Sequence, residues 1–167
     1  MDINFLFEVD QSAPRFQGPE QMLSAMSGLD YVEFTQLMAP DEVIMMNEGS
    51  CHDQTMLEYD ELECEGLSPA AKFIMAVDKD NIGGETHSFV YWVENGKAYW
   101  FENAWEDYRG IHEFDSEADL IEAVVDAFTE RNPRKYIYIS DFNPAEHTIG
   151  EDLDTFVDIC MNNAELA

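Results

Sequence analysis

Basic side chains are scarce in this sequence: eight Lys and Arg stand against 36 Asp and Glu, a formal net charge of −28 over 167 residues. A chain of that sign repels nucleic-acid phosphates and anionic membranes, which argues against direct contact with either. The partners that fit are cationic: a polypeptide substrate or a protein with a basic face, bound in a salt-sensitive way. Cysteine is rare and odd in number (Cys51, Cys64 and Cys160), which argues against a disulfide scaffold and fits a reducing, cytoplasmic setting. No apolar run approaches the ~18 residues that a membrane helix needs. The opening MDINFLFEVD has no basic region, so it is a poor signal peptide; Ile3, Phe5, Phe7 and Val9 alternate as in a strand. What is present is enough apolar material, 46% of residues with 13% aromatic, for a chain of this length to bury a core as one domain, 1–167.

Helix signals dominate the first part. Pro19 to Leu29 reads as a short helix, and Pro40-Asp41-Glu42 starts another that stops near Gly49. Ser50 is placed to cap a third helix, with Cys51 in its first turn, Met56, Tyr59 and Leu62 at helical spacing, and Gly66 at its end. Strands follow at 72–77, 87–93 and 97–103, the last two around Glu94-Asn95-Gly96, a hairpin signal. Asp115-Ser116 caps an amphipathic helix up to Asn132, 135–142 alternates as a strand, and a last helix follows Gly150. The expected class is α+β with a mostly antiparallel sheet. The hairpin strands are apolar on both faces, so the sheet centre is expected to be covered on both sides. Residues 1–39 form an N-terminal strand and helices, 40–142 the central core, and 143–167 the C-terminal helix.

Cys51 admits three readings: a small buried hydrophobe, a metal ligand, or a nucleophile. A helix start favours thiolate over thiol, because exposed N–H groups and the helix dipole stabilise the negative charge. The −28 background raises a thiol pKa, so a reactive Cys51 needs a close imidazolium. His87 opens a strand and can supply it. The residue that orients His87 depends on the hairpin register. A two-residue turn at Asn95-Gly96 pairs Glu94 with Lys97 and puts Glu102 on the His87 side of the sheet. A three-residue loop pairs Val93 with Lys97 and sets Asn103 directly across from His87.

The stretches GSCHDQ, THSFVYWV and FENAWEDYRG, in that order, resemble the nucleophile helix, the histidine strand and the Asn-Ser-Trp segment of papain-like cysteine proteases. The compact separations of Cys51, His87 and Asn103 are closer to the transglutaminase-like branch, which usually carries Asp as third member. The resemblance spans about residues 40–142. It implies a papain/transglutaminase-like α+β fold in which a helix bearing the Cys packs on a sheet bearing His and Asn. It also implies thiol chemistry on amide bonds, as peptidase, deamidase or transglutaminase, with Cys51 as nucleophile, His87 as base and Asn103 orienting it under the shield of Trp105. Glu102 is the alternative third member. The Gln that papain-like enzymes place six residues before the Cys is Met45 here, so Asn47 and the Cys51 N–H are the oxyanion candidates. His52 follows the Cys and is expected to line the cleft.

No metal and no cofactor are expected. Cys51, His52, Asp53 and Cys64 lack zinc-ligand spacing, and DKDNIG fails as a calcium loop at Ile82 and Phe89. Cys64 and Cys160 are expected to be structural, Trp92 and Trp100 core, and His112 and His147 surface residues. A different class of function also suits the charge: an acidic decoy that fills a basic groove, or an inactive scaffold of the same fold.

Overall fold

Local hydrogen-bond chemistry sets where the helices begin. The computed structural model describes residues 13–78 and 84–167, so the expected strand at Ile3–Val9 and most of the DKDNIG loop lie outside the described residues. Its elements run α1 (Pro19–Met26), β1 (Asp30–Tyr31), α2 (Pro40–Met46), β2 (Glu48–Gly49), α3 (Cys51–Cys64), β3 (Pro69–Val77), β4 (Thr86–Glu94), β5 (Lys97–Glu102), β6 (Gly110–Phe114), α4 (Glu117–Arg131), β7 (Tyr136–Asp141), α5 (Leu153–Met161) and β8 (Glu165–Leu166). Proline opens α1 and α2, where a missing N–H costs nothing. Ser50 caps α3: its hydroxyl accepts from the Asp53 N–H, and the Asp53 carboxylate accepts from the Ser50 N–H at 2.9 Å. Ser116 caps α4 in the same way, accepting from Asp119 N–H.

Six strands form one antiparallel sheet in the order β6-β5-β4-β3-β7-β8, and β1 and β2 form a separate short parallel ladder. The fold is α+β, with the Cys-bearing helix α3 packed against β3 and β4. Side chains alternate across β4 and its neighbours. Phe73, Val90, Trp92 and Phe101 join α1, α2, α3 and α5 in one core. Ile74, Phe89, Tyr91 and Trp100 join α4 in another. The sheet centre is therefore covered on both faces, as the doubly apolar strands required. Three features were not anticipated: β6, β8 and the β1–β2 ladder. All are short, and all are defined by a pairing partner rather than by their own pattern.

The β4–β5 hairpin settles the register. Asn95 (φ 52) and Gly96 (φ 76) are both left-handed, as a two-residue type I′ turn demands, and Glu94 pairs with Lys97. Continued along the ladder, that register sets Phe89 opposite Glu102 and Ser88 opposite Asn103. His87 and Glu102 thus leave one face of the sheet, and Asn103 leaves the other. Among the described residues no helix is long and apolar enough to cross a membrane.

Phe101, fully buried where β5 meets the larger core, is the residue whose truncation should report the packing. Phe101→Ala is expected to destabilise the chain by about 3–5 kcal/mol. Guanidinium unfolding should show it as a lower midpoint at unchanged slope.

Candidate active site

Three elements meet at one end of the sheet. Cys51 occupies the first turn of α3, 6% exposed, where the helix leaves N–H groups unpaired and its dipole favours negative charge. His87 stands at the start of β4 and Glu102 ends β5, both buried. His87 Nε2–H donates to Glu102 Oε2 at 2.8 Å, which leaves Nδ1 for the sulfur. Glu102 Oε1 accepts the Trp105 N–H at 2.9 Å, so both carboxylate oxygens are fixed. The Trp105 ring meets His87 edge-on at 5.3 Å, and the Arg131 guanidinium lies over that indole at 5.7 Å.

Two expected residues fall elsewhere. Asn103 does not touch His87: its Nδ2 donates to Met26 O at 3.0 Å and to Gln54 Oε1 at 2.7 Å, on the far side of the sheet. The hairpin register is the cause, because one residue along a strand reverses the face. Asn103 ties α1 to α3, and Glu102 takes the orienting position. Asn47 does not reach the sulfur either. It is the exposed, left-handed C-cap of α2, and its amide donates to Gly28 O. The residue that does reach the sulfur is Tyr31, which sequence reasoning missed. The β1–β2 ladder pairs Tyr31 with Gly49, two residues before Cys51, and its phenol interacts with the thiol.

The electrostatics favour an ion pair. Burial pushes the Cys51 thiol up, but the charges and hydrogen bonds of His52 and His87 more than reverse this and hold it at about 5. Burial opposes the charge on His87, yet Glu102 and the Cys51 thiolate raise it to about 10. Between those limits the pair rests as thiolate and imidazolium. Glu58, buried two turns along α3, is pushed well above the carboxylate range by desolvation and then by Glu102. Burial thus works against a second negative charge beside Glu102. Burial and the neighbouring Cys51 charge raise the Tyr31 phenol, so it remains a donor at neutral pH.

The site opens into a cleft of about 640 Å³. Cys51, His52, His87, Trp105 and Tyr31 line it together with Phe34 and Leu153. Four carboxylates also line it, Glu33, Glu85, Glu106 and Asp107, and Arg131, whose Nε pairs with Glu85 at 2.6 Å. Two other histidines correct the expectation of surface positions. His112 is half-buried, its ring 4.9 Å from that of Trp100. His147 is enclosed between Phe142 and Phe156, bonded to Glu151 on one side and 3.7 Å from Cys160 Sγ on the other. This second Cys-His-Glu cluster is inert by environment. Burial, then Glu151 and Glu146, push the Cys160 thiol up to about 12.

No protein-family model and no curated protein matches the chain. Among solved structures, the catalytic domain of the Salmonella virulence factor SseI is similar at 18% identity, over 75% of this chain and 79% of that one, with a TM-score of 0.47. LapG of Legionella pneumophila is similar at 14% identity, over 86% of this chain and 75% of that one, with a TM-score of 0.44.

Alkylation of Cys51 by iodoacetamide, followed by peptide mass spectrometry, should rise through a midpoint near pH 5 and stay level until His87 loses its proton at about 10. A midpoint near 8.5, that of a free thiol, would remove the ion pair. Glu102→Gln should move the acid limb up by about one unit or more. Asn103→Ala should leave that limb in place while costing about 1–3 kcal/mol of stability in denaturant unfolding.

Proposed function

We propose that this chain is a thiol-dependent amide-bond enzyme. The observation that carries the reading is the buried His87–Glu102 bond at 2.8 Å beside a thiol held in its charged form at the mouth of a cleft. The Cys51 thiolate attacks the carbonyl carbon, and the carbon–oxygen double bond opens to an oxyanion. His87 gives its Nδ1 proton to the nitrogen, the carbon–nitrogen bond breaks, and an amine or ammonia departs from a thioester. His87, now neutral, takes a proton from water or from an incoming amine as that nucleophile attacks. The collapse of the second tetrahedral intermediate returns the thiolate. Glu102 keeps the imidazole in the required tautomer and stabilises its charge, the part that Asp plays in a serine triad. The oxyanion donors are the Cys51 N–H at the helix start and the Tyr31 hydroxyl.

The substrate that suits the cleft is a basic polypeptide. Among the described residues Glu33, Glu85, Glu106 and Asp107 face it, and Arg131, which also lines it, is already paired with Glu85. Acids at the cleft mouth support a cationic substrate over an acidic decoy acting elsewhere on the surface. A thiol held in its charged form at an open cleft is what favours this reading over a decoy or an inactive scaffold, because a buried His–Glu pair by itself also serves structure, at His147 and Glu151.

Incubation with glutamine-containing peptides of basic and of acidic sequence, with and without a primary amine, tests the reading by mass spectrometry. Cleavage, loss of ammonia or amine incorporation is expected on the basic set, weakened by salt and absent with Cys51→Ala. Products that survive Cys51→Ala, or no product from any peptide, overturn it. Tyr31→Phe should lower kcat by about 10²-fold with KM little changed, the signature of a donor that acts on the oxyanion.

A further inference from the structure

Nucleophile and base reach the cleft from opposite faces of the sheet. Along β4, Val90 and Trp92 join the core under α3, while Phe89 and Tyr91 join the core under α4. By the same alternation Thr86 and Ser88 face α3, and His87 faces away from it. The helix that carries Cys51 therefore lies across the strand from the His87 side chain. The sulfur is presented around the end of β4, so the point where α3 begins relative to β4 sets how sulfur and imidazole meet.

One group of hydrogen bonds fixes that point. His52, the residue after the nucleophile, bonds both neighbours of the base: Nδ1 lies 2.9 Å from Ser88 Oγ, and Nε2 lies 3.1 Å from Thr86 Oγ1. Ser88 has one proton, and it goes to α3, where Thr55 Oγ1 lies at 2.9 Å and the Cys51 carbonyl oxygen at 3.3 Å. Its oxygen then accepts from Nδ1–H, and Nε2 accepts from the Thr86 hydroxyl. Phe34, Phe73 and Phe156 enclose the ring with centroids 4.5–5.7 Å away, so it has little room to turn. His52, Ser88 and Thr55 are at most 2% exposed, so water does not compete for the bonds among them.

We propose that His52 and Ser88 are positioning residues that pin the first turn of α3 to β4, so that Cys51 and His87 meet in a fixed geometry. The pin joins residue 52 to residues 86 and 88, and thereby brackets 51 and 87. Ser88 also bonds the nucleophile's own carbonyl, and it is not among the residues that line the cleft, so it acts without touching a substrate. The inference rests on the thiol-enzyme reading and names what holds that site together.

The test measures turnover of the basic glutamine-containing peptides and the pH profile of Cys51 alkylation. The variants are Ser88→Ala, Ser88→Thr, His52→Phe and the double variant His52→Phe/Ser88→Ala, each checked for folding by circular dichroism. Ser88→Ala should lower kcat about tenfold with KM within about twofold, because a ~1 Å misplacement of reacting groups can cost about 10²-fold. On the acid side of the profile, alkylation should slow about tenfold as the sulfur loses its alignment with His87. Ser88→Thr keeps the hydroxyl and should stay near the wild type in both measurements. The double variant should be no slower than His52→Phe alone, since both changes break one pin. A purely structural role would lower the denaturation midpoint while kcat and the alkylation profile stay unmoved, and that result overturns the proposal. So does a double variant whose losses multiply. Should Ser88→Ala fail to fold, Thr86→Val, which removes a ring partner at nearly constant volume, takes its place with the same expectation. A wild type that turns over no peptide sinks the enzyme reading, and the alkylation profile of Ser88→Ala then decides the pin by itself.

Discussion

The arrangement depends on one charge pair surviving in a chain whose background opposes half of it. At −28, the surface as a whole disfavours a thiolate. Distance decides the contest. A unit charge ~15 Å away through water acts with only ~0.3 kcal/mol, and physiological salt screens beyond about 8 Å. An imidazolium ~4 Å away in a partly buried site acts with ~4 kcal/mol. One imidazolium at close range therefore outweighs many distant carboxylates. The same background helps the cationic member: Glu102 is held against His87 at 2.8 Å, and every other acid pulls in the same direction. A charged Glu58 would upset this balance, and burial works against that charge.

A two-residue turn far from the sulfur determines which side chain meets His87. Asn95 and Gly96 adopt left-handed conformations that asparagine and glycine tolerate, the turn closes on Glu94 and Lys97, and the ladder carries that register to the end of β5. The Asn-Ser-Trp likeness implies Asn103 against His87 under the shield of Trp105; Trp105 lies beside His87, but Asn103 does not. The parity of the strand overrides the likeness at Asn103 and gives its place to Glu102. Both registers could be read from the residues beforehand, and only the φ angles at the turn separate them. Glu and Asn then serve different ends one residue apart: one fixes the imidazole, the other fastens α3 to α1 through Gln54 and Met26.

The legible parts of the fold share a property: their signal is local. Ser50 with Asp53, Ser116 with Asp119, and the prolines of α1 and α2 declare helix starts through bonds made within three residues. The doubly apolar runs of β3 and β4 declare a covered sheet. The illegible parts depend on distant partners. Tyr31 reaches Cys51 because a two-residue ladder brings 30–31 alongside 48–49, and no periodicity announces so short a pairing. The acidic neighbours of His147 suggest solvent, yet its side chain is enclosed. Glu151 four residues on was a pairing signal, and the phenyl rings that bury the pair come from β7's end and α5.

The two Cys-His-Glu clusters show that residue identity does not make a nucleophile. Cys160, His147 and Glu151 repeat the types found at the cleft, yet that thiol is pushed up to about 12 and the other is held at about 5. Four physical differences separate them. Cys51 begins a helix, where N–H groups point at the sulfur; Cys160 lies near the end of α5, where the carbonyl end of the dipole disfavours a thiolate. Cys51 has two imidazoles, Cys160 one. The carboxylates near Cys160 raise its thiol directly, whereas Glu102 acts on Cys51 through an imidazole that it keeps protonated. Cys51 also lines an open cleft, while Cys160 is walled into the core beside Phe156. A cluster that lacks the helix start and the access fastens α5 to the loop before it. A cluster that has both holds its thiol as a charged group facing the cleft.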